Sequence, residues 1–364
     1  MPGLTLSQLT NLTRSTRAQQ RKVKFAETLK FNRYAGLEEF IYTGSSEGVS
    51  GTQYEERIRL KANTGATRGV NLYQVTAAQK APPVNTMTVP YVAKENKGIV
   101  FDLREQKLNQ GSDVQIINHL NAERSANYED IANHLENDIF NPIYNSSDNL
   151  SFWGLPMWLR PSMTSGGSFT ADLTGGFNGT YIRYGDTSVS ATLAGIDASS
   201  VDNERWRNWV GTRSSASIFN KDLAIMIRRA MEATNFRPLQ MLKGEQTQGD
   251  CVIFMSQADH EAYKTLVSDG PDDRNGDLFP FSEYKINGAR ISRAPILDLD
   301  ATASIYGVRL KMWKLLKVPG FWMNESDPLR KDGAHNVFEI PIDIMGNLMT
   351  NNPRACGFRI HASF

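Results

Sequence analysis

Histidine and cysteine are the side chains best suited to metal binding or catalysis, and this sequence contains few of either. The five histidines and two cysteines are His119, His134, His260, His335, His361, Cys251 and Cys356. No two histidines have the i, i+4 spacing of a helical zinc site, and no Cys-x-x-Cys motif occurs. We therefore expect structural or surface histidines, buried thiols of a reducing compartment, and neither a metal nor a cofactor.

Other catalytic patterns fail as well. The sequence has no phosphate-binding GxxxxGK[ST] motif and no GxSxG nucleophile motif. The acidic stretch DGPDDRNGD suggests calcium, but a calcium-loop alignment places Pro271 at the first ligand position and Ser282 at the twelfth, where a glutamate is needed. Carboxylate pairs such as Asp298 and Asp300 carry no acid–base assignment from spacing alone. We predict that the protein is not an enzyme.

The stretch ERWRNWVGTR, residues 204–213, combines two tryptophans with three arginines. Three interpretations are open: a nucleic-acid platform, a sugar-stacking site, or a clamp that holds the fold together. Asp202 and Glu204 stand beside the arginines, so no broad basic patch surrounds the rings. We favour an aromatic clamp, formed by Trp153, Trp158, Trp206 and Trp209.

Charge is distributed unevenly along the chain, although the formal net charge is only +1. Residues 1–34 carry one acid, Glu27, and seven basic side chains: Arg14, Arg17, Arg21, Lys22, Lys24, Lys30 and Arg33. This basic arm could contact DNA or a neighbouring copy of the protein, with Arg14, Arg17, Arg21, Lys22 and Lys24 as the candidates. A solvated, flexible terminus is an equally open interpretation.

Composition indicates an ordinary folded protein that does not enter a membrane. The 364 residues are 40% hydrophobic and 22% charged, and the length allows one large domain or two to three smaller ones. No run approaches the ~18 apolar residues needed to cross a bilayer. The first residues lack the apolar core of a signal peptide.

Periodicity predicts the elements that would carry these residues. Alternation at 56–61 and extended stretches at 84–92 and 99–102 indicate a long two-stranded hairpin, which its prolines confine to an edge or to a projection from the body. A capping-box pattern at Ser112 followed by an apolar stripe predicts a helix over 112–140. A second helix is predicted over 221–233, and a buried strand over 251–255, followed by a helix that Ser256 caps.

Several short motifs follow one another in an order that resembles a known family. They are GLPMWL (154–159), GFNG (176–179), AGID (194–197), WRNW (206–209), NFRP (235–238), YGVRLKMW (306–313) and PGFWM (319–323). Together with the long helix, they resemble the major capsid protein of tailed bacteriophages, which has the Hong Kong 97-like capsid fold. The resemblance covers nearly the whole chain and rests on the order of the motifs.

The resemblance implies an α+β architecture with named parts. Residues 1–45 would be the N-terminal arm and residues 46–102 the extended hairpin, or E-loop. Residues 103–235 would form the peripheral domain, with its spine helix at 112–140. Residues 236–335 would form the axial domain, and residues 336–364 would return to the peripheral domain.

Charge suggests how such subunits would meet. The hairpin region 52–100 contains three acids and seven basic residues: Arg57, Arg59, Lys61, Arg68, Lys80, Lys94 and Lys97. The predicted spine helix contains one arginine, Arg124, and six acids: Asp113, Glu123, Glu129, Asp130, Glu136 and Asp138. We predict that the hairpin lies across the spine helix of an adjacent subunit and supplies specificity more than affinity.

The resemblance implies a structural protein that forms hexamers and pentamers of an icosahedral shell around double-stranded phage DNA. It implies a virion location, assembly in the bacterial cytoplasm, a portal, and optional decoration proteins. Because the chain has only a short arm before the hairpin, we expect a separate scaffolding protein. An encapsulin-like shell, which has the same fold but encloses enzymes, is the alternative; the basic arm favours DNA.

Overall fold

The computed structural model describes most of the chain in fourteen segments. They are residues 34–42, 45–48, 51–61, 84–102, 113–140, 150–160, 192–198, 200–213, 221–234, 251–268, 285–286, 289–300, 303–333 and 336–362. The basic arm, with Arg14, Arg17, Arg21, Lys22 and Lys24, lies outside the described residues. So do Arg68, Lys80, the predicted cap Ser112 and the acidic stretch at 269–277.

The first of two six-stranded sheets is organised around one long strand. Its strands are β1 (Ser45–Gly48), β4 (Val92–Asp102), β12 (Trp313–Lys317), β13 (Asn324–Glu325), β14 (Leu329–Arg330) and β15 (Val337–Thr350). β15 pairs antiparallel with β4, β12, β13 and β14, and β1 pairs parallel with β12. Phe101 and Phe338, opposite each other on β4 and β15, stack at 5.8 Å on the buried face.

The spine helix α2 packs beside this sheet. A short helix α1 (Ala35–Tyr42) precedes it, and α2 itself spans Asp113–Phe140, so the predicted helix is confirmed to within one residue. Ile131, Leu135 and Ile139 recur every four residues and are buried, as one face of a helix requires. At 1.5 Å per residue the 28 residues extend about 42 Å.

The second sheet carries apolar side chains on both faces. Its order is β7 (Trp209–Arg213), β16 (Gly357–Ala362), β11 (Ile305–Arg309), β8 (Cys251–Met255), β10 (Ala289–Arg293) and β9 (Lys285–Ile286). All five residues of β8 are buried, which confirms the predicted buried strand. Because side chains alternate across a strand, Val252 and Phe254 join the main core, whereas Cys251, Ile253 and Met255 join a second one.

Helices complete the second core. A one-turn helix α3 (Leu155–Trp158) lies in the main core, while α4 (Lys221–Ala233) contributes Leu223, Ile227 and Met231 to the second core. The prediction for α4 is confirmed at both ends. The helix α5 (Gln257–Ser268) begins where Ser256 accepts the Asp259 N–H at 3.3 Å, as the sequence predicted. Among the helices that the structure describes, none is both long and apolar enough to span a bilayer.

Two small two-stranded ribbons pair with neither of the six-stranded sheets. β2 (Gln53–Ile58) pairs antiparallel with β3 (Asn85–Pro90), and β5 (Thr192–Leu193) pairs with β6 (Ile196–Asp197) through a tight turn. In that turn Ala194 and Gly195 both have positive φ, 53° and 79°. The Thr88 N–H donates to the Ala194 carbonyl at 2.9 Å, so the turn contacts the β2–β3 hairpin near the middle of β3.

Strand pairing crosses the predicted segment boundaries, which stay predictions. In the described part of the chain, the hairpin is limited to β2 and β3: β1 and β4 belong to the first sheet, although both fall largely within the predicted hairpin 46–102. The predicted axial segment 236–335 is divided, because β12 to β14 pair with β15 in the first sheet. β7 and β16, assigned to the peripheral domain, lie in the second sheet with β8. The pairings of β1 with β12, β4 with β15 and β7 with β16 join residues more than a hundred positions apart, and local periodicity contains no information on such partners.

Candidate functional site

The tryptophans of the predicted clamp are all buried, and three of them form one cluster. The rings of Trp153 and Trp158 lie 5.8 Å apart, and those of Trp158 and Trp206 lie 6.2 Å apart, both edge to face. Trp158 Nε1 donates to the Leu348 carbonyl at 3.0 Å, and Trp206 Nε1 donates to the Leu193 carbonyl at 3.1 Å. The cluster therefore joins α3, β15 and the β5–β6 turn.

Trp209 does not belong to this cluster. It packs in the second core, with the guanidinium of Arg354 5.9 Å from its ring centre. The clamp prediction is thus correct for the burial of all four rings but wrong in grouping Trp209 with the others. The reason is the change of conformation within the motif: Trp206 ends a 3₁₀ helix at Val201–Trp206, while Trp209 begins β7.

Two arginines of the same motif, Arg207 and Arg213, bind inside the chain. Arg213 makes a two-pronged contact with Asp259, at 2.9 and 3.1 Å, and both side chains are buried. Arg207 donates instead to the backbone carbonyls of Ala198 and Ser200. Trp206, Arg207, Asn208, Trp209, Val210 and Arg213 of this motif are buried, which favours a structural clamp over an exposed binding platform.

The basic residues of β2 and its extension lie at the surface. Arg57 and Arg59 are exposed, and Arg59 Nε donates to the Lys61 carbonyl at 3.2 Å. Lys61 is also exposed but forms an ion pair with Asp202 of the same chain at 2.5 Å. Arg57 and Arg59 are therefore the described hairpin cations best placed to meet another molecule.

The lysines of β4 have partners within the chain. Lys94 bonds to Asp138 of the spine helix, and Lys97 lies 3.1 Å from Glu95. β4 is paired in the first sheet, and the spine helix that Lys94 meets belongs to the same chain, so its contact with an adjacent subunit's helix stays a prediction. Burial raises the pKa of Asp138, and the bond to Lys94 opposes that shift.

Two spine-helix acids are also committed internally. Glu136 is 4% exposed and accepts the N–H groups of Gly36 at 3.0 Å and Leu37 at 2.7 Å. Asp138 and Glu136 thus already have partners within the chain, and their contact with a neighbouring hairpin stays a prediction. The side chain of Asp113 lies outside the described residues. Glu123 and Glu129 are half-buried and Asp130 is exposed, so these three remain candidates.

Sequence reasoning missed a charged patch on the outer face of the first sheet. Lys97 is surrounded by three carboxylates, Glu95, Glu339 and Asp343, and the bond to Glu95 is the largest cause that raises the Lys97 pKa. On the same face Val100 and Leu329 flank Glu339 and are 42% and 52% exposed. The alternation of exposed and buried residues along β4 indicates that one of its faces is exposed. Which residues of β15 lie beside that face follows only from the pairing of the two strands.

No cluster of three or more metal-binding side chains occurs within the described segments. Cys251 and Cys356 are buried as thiols and form no disulfide, in agreement with the sequence. Burial raises the pKa of the Cys356 thiol, which keeps it protonated. His361 is buried and its Nδ1 lies 2.9 Å from the Ala362 carbonyl, as expected for a structural histidine.

Comparison with known proteins gives matches at the level of structure. No family model and no curated protein matches the chain. The capsid asymmetric unit of cyanophage A-1(L) is similar with a TM-score of 0.56 and 13% identity, covering 87% of this chain and 90% of that chain. A structure of Mycobacterium phage Bobi is similar with a TM-score of 0.50 and 9% identity, covering 90% of each chain.

These similarities establish the fold, at identities too low to establish more. The chain has the α+β fold of tailed-phage capsid proteins, the Hong Kong 97-like capsid fold, as its sequence motifs indicated.

Proposed function

We propose that this chain is a major capsid protein that assembles with copies of itself into hexamers and pentamers of an icosahedral shell around double-stranded DNA. The supporting observation is the extent of the similarity: it covers 87% of this chain and 90% of the cyanophage capsid chain. The two proteins therefore correspond over nearly their whole length. A similarity confined to one sheet would support a common module only.

The proposed role is structural and involves no catalysis. A closed shell of many copies requires several different contacts per subunit, which projecting ribbons and arms can supply. The partners we propose are other copies of this chain, a separate scaffolding protein, a portal, packaged DNA held by non-specific charge contacts, and optional decoration proteins. The proposed location is the virion capsid, after assembly in the host bacterial cytoplasm.

We further propose that the hairpin contacts the spine helix of an adjacent subunit through the residues that remain exposed or half-buried. These are Arg57 and Arg59 on one side and Glu123, Glu129 and Asp130 on the other. Each exposed ion pair adds little affinity, so its effect comes from repetition over the shell and from rejection of incorrect orientations.

Charge reversal tests this contact. The double variant Arg57→Glu/Arg59→Glu should lose closed shells, because like charges would then face each other at every copy of the interface. Adding Glu129→Arg and Asp130→Arg should restore shells if the pairing is direct. A matched control is Arg228→Glu/Arg229→Glu, which reverses two exposed charges on α4. Unchanged shell yield for the hairpin variant would refute the contact.

The function itself is tested by expression of the chain alone, followed by negative-stain electron microscopy and sedimentation. Closed shells, capsomers or tubes would support the proposal, and nucleic acid inside them would distinguish a viral shell from an enzyme-enclosing compartment. A chain that stays monomeric at high concentration would be co-expressed with candidate scaffolding proteins. A monomer under both conditions would contradict self-assembly.

A further inference from the structure

The helix α1 is attached to the body by an unusual contact with the spine helix. Both carboxylate oxygens of Glu136 accept backbone N–H groups from its first turn, those of Gly36 and Leu37. A Cβ atom at Gly36 would lie 2.6 Å from the ring of Phe140, so only glycine allows this approach. The contact therefore depends on the side chains of Glu136 and Phe140 on α2, and on the lack of a side chain at Gly36 on α1.

α1 also joins the two sheets. Glu39 forms an ion pair with Arg290 of β10 at 2.7 Å, and Phe40 packs edge to face on Trp313 of β12 with ring centres 5.8 Å apart. Leu37 and Phe40 line a small cavity between α1, α2 and the first sheet. A helix of eight residues bound over incompletely filled space can separate from the body more easily than a well-packed element.

The charge on Glu136 opposes this attachment. Burial raises the pKa of Glu136 to about 7, against the two amide hydrogen bonds, which lower it. The other charged groups on the elements around it are Glu38, Glu39, His134, Asp138, Lys94 and Arg290. Asp138 and Glu39 are paired with Lys94 and Arg290, and no charged side chain contributes to the shift at Glu136.

We propose that Glu136 is a proton-dependent latch that holds α1 against the spine helix. When α1 separates, water reaches the carboxyl group and its pKa returns to the ordinary value. The attached form then binds the proton more tightly than the separated form, so protonation favours attachment. A rise in pH through neutrality ionises the buried carboxyl group and weakens the contact, so the separated state of α1 is favoured at the alkaline end of the range.

Hydrogen–deuterium exchange of the full-length chain tests the latch. Peptides covering residues 34–42 would be followed by mass spectrometry at about pH 6 and pH 8.5, with rates corrected for the intrinsic pH dependence of exchange. From the two pKa values, protection of α1 should fall about tenfold over this range. The Glu136→Gln variant buries no charge and keeps one acceptor oxygen, so its protection should not change with pH.

Glu232→Gln is the matched control, because Glu232 is exposed on α4, away from α1. It should retain the tenfold change. Equal protection of the unsubstituted chain at both pH values would overturn the latch without any variant. A tenfold change that persists in Glu136→Gln would overturn it as well, by assigning the effect to another group. The measurement does not require shell formation, so the result is independent of the proposed function.

Discussion

Arg124 and Glu325 form an ion pair that is almost completely shielded from water, with 0% and 1% of their side chains exposed. Arg124 Nε and Nη2 both donate to Glu325 Oε1, at 3.0 and 2.6 Å. The pair joins the spine helix to the edge strand β13, and the one arginine of that helix is therefore structural.

Arg124→Met should destabilise the protein by about 3–5 kcal/mol, because it leaves the Glu325 carboxylate buried without its partner. Denaturant unfolding monitored by circular dichroism would give the free energy of unfolding. The control is Arg293→Met: Arg293 pairs with Asp298 at 3.5 Å but is 43% exposed, so its loss should have a much smaller effect. Equal effects of the two substitutions would contradict the structural role of Arg124.

Trp158 is the centre of the tryptophan cluster and is fully buried. Trp158→Ala should cost about 3–5 kcal/mol through the cavity it leaves. Trp158→Phe keeps much of the ring but removes the donor to the Leu348 carbonyl, and should cost about 1–3 kcal/mol. Thermal unfolding of both variants, beside Trp322→Phe at a half-buried ring, would establish the order. A Phe variant as unstable as the Ala variant would show that the hydrogen bond outweighs packing.

Ala194 has a backbone conformation that favours glycine, with φ of 53° in the β5–β6 turn. Ala194→Gly should be neutral or stabilise the protein by up to about 0.5 kcal/mol, because the relief of strain offsets the added entropy of the unfolded chain and the lost contacts of a buried methyl group. Ala198→Gly is the comparison: Ala198 is buried and is not among the positive-φ residues. It should destabilise. Destabilisation by both substitutions would show that the turn is not strained.

The buried histidine His361 predicts how the stability of the protein changes with pH. Burial lowers its pKa to about 4, with Arg359 contributing in the same direction. The folded protein thus binds fewer protons than the unfolded chain below pH ~6.5, so this residue costs about 2 kcal/mol of stability between pH 7 and pH 5. Glu136, whose pKa is raised, acts in the opposite direction over the same range, and the two contributions nearly cancel.

Replacement of His361 should therefore leave the opposing contribution of Glu136 to the pH dependence of stability uncancelled. The His361→Gln variant should gain about 2 kcal/mol more than the unsubstituted chain when the pH falls from 7 to 5. Urea unfolding at several pH values measures this slope. His134→Gln, at an exposed position on the spine helix, should leave the slope unchanged. A slope that is the same in all three proteins would contradict the assignment to His361.

Elements with strong local signals were predictable from the sequence. The spine helix and α4 follow from apolar residues at spacings of three and four, and β8 follows from five consecutive apolar residues between polar segments. The burial of Trp206 and Trp209 was also predictable, since large rings three residues apart more often anchor one face of an element in a core than form an exposed platform. In each case the relevant interactions lie within one element or concern hydrophobicity alone.

The tertiary structure decided which charges are available at the surface. By composition the spine helix is an acidic surface, yet Glu136 faces the amides of α1 and Asp138 faces Lys94. The sequence places Lys94 in the predicted hairpin, whereas in the structure its strand β4 pairs with β15 of the first sheet. Whether a charged side chain meets solvent, a neighbour or its own backbone depends on contacts across the chain, and its sequence context does not specify them.

The sequence alone determined where the main helices and the buried strand β8 lie and the type of fold, because these depend on periodicity and on the order of local motifs. Only the tertiary structure decided how β1, β4, β12 and β16 are distributed between two sheets, and which carboxylates are buried. The physical reason is that strand pairing and desolvation are set by partners distant along the chain. The free energies of strand pairing and of carboxylate desolvation therefore depend on the assembled core and cannot be assigned to any one segment.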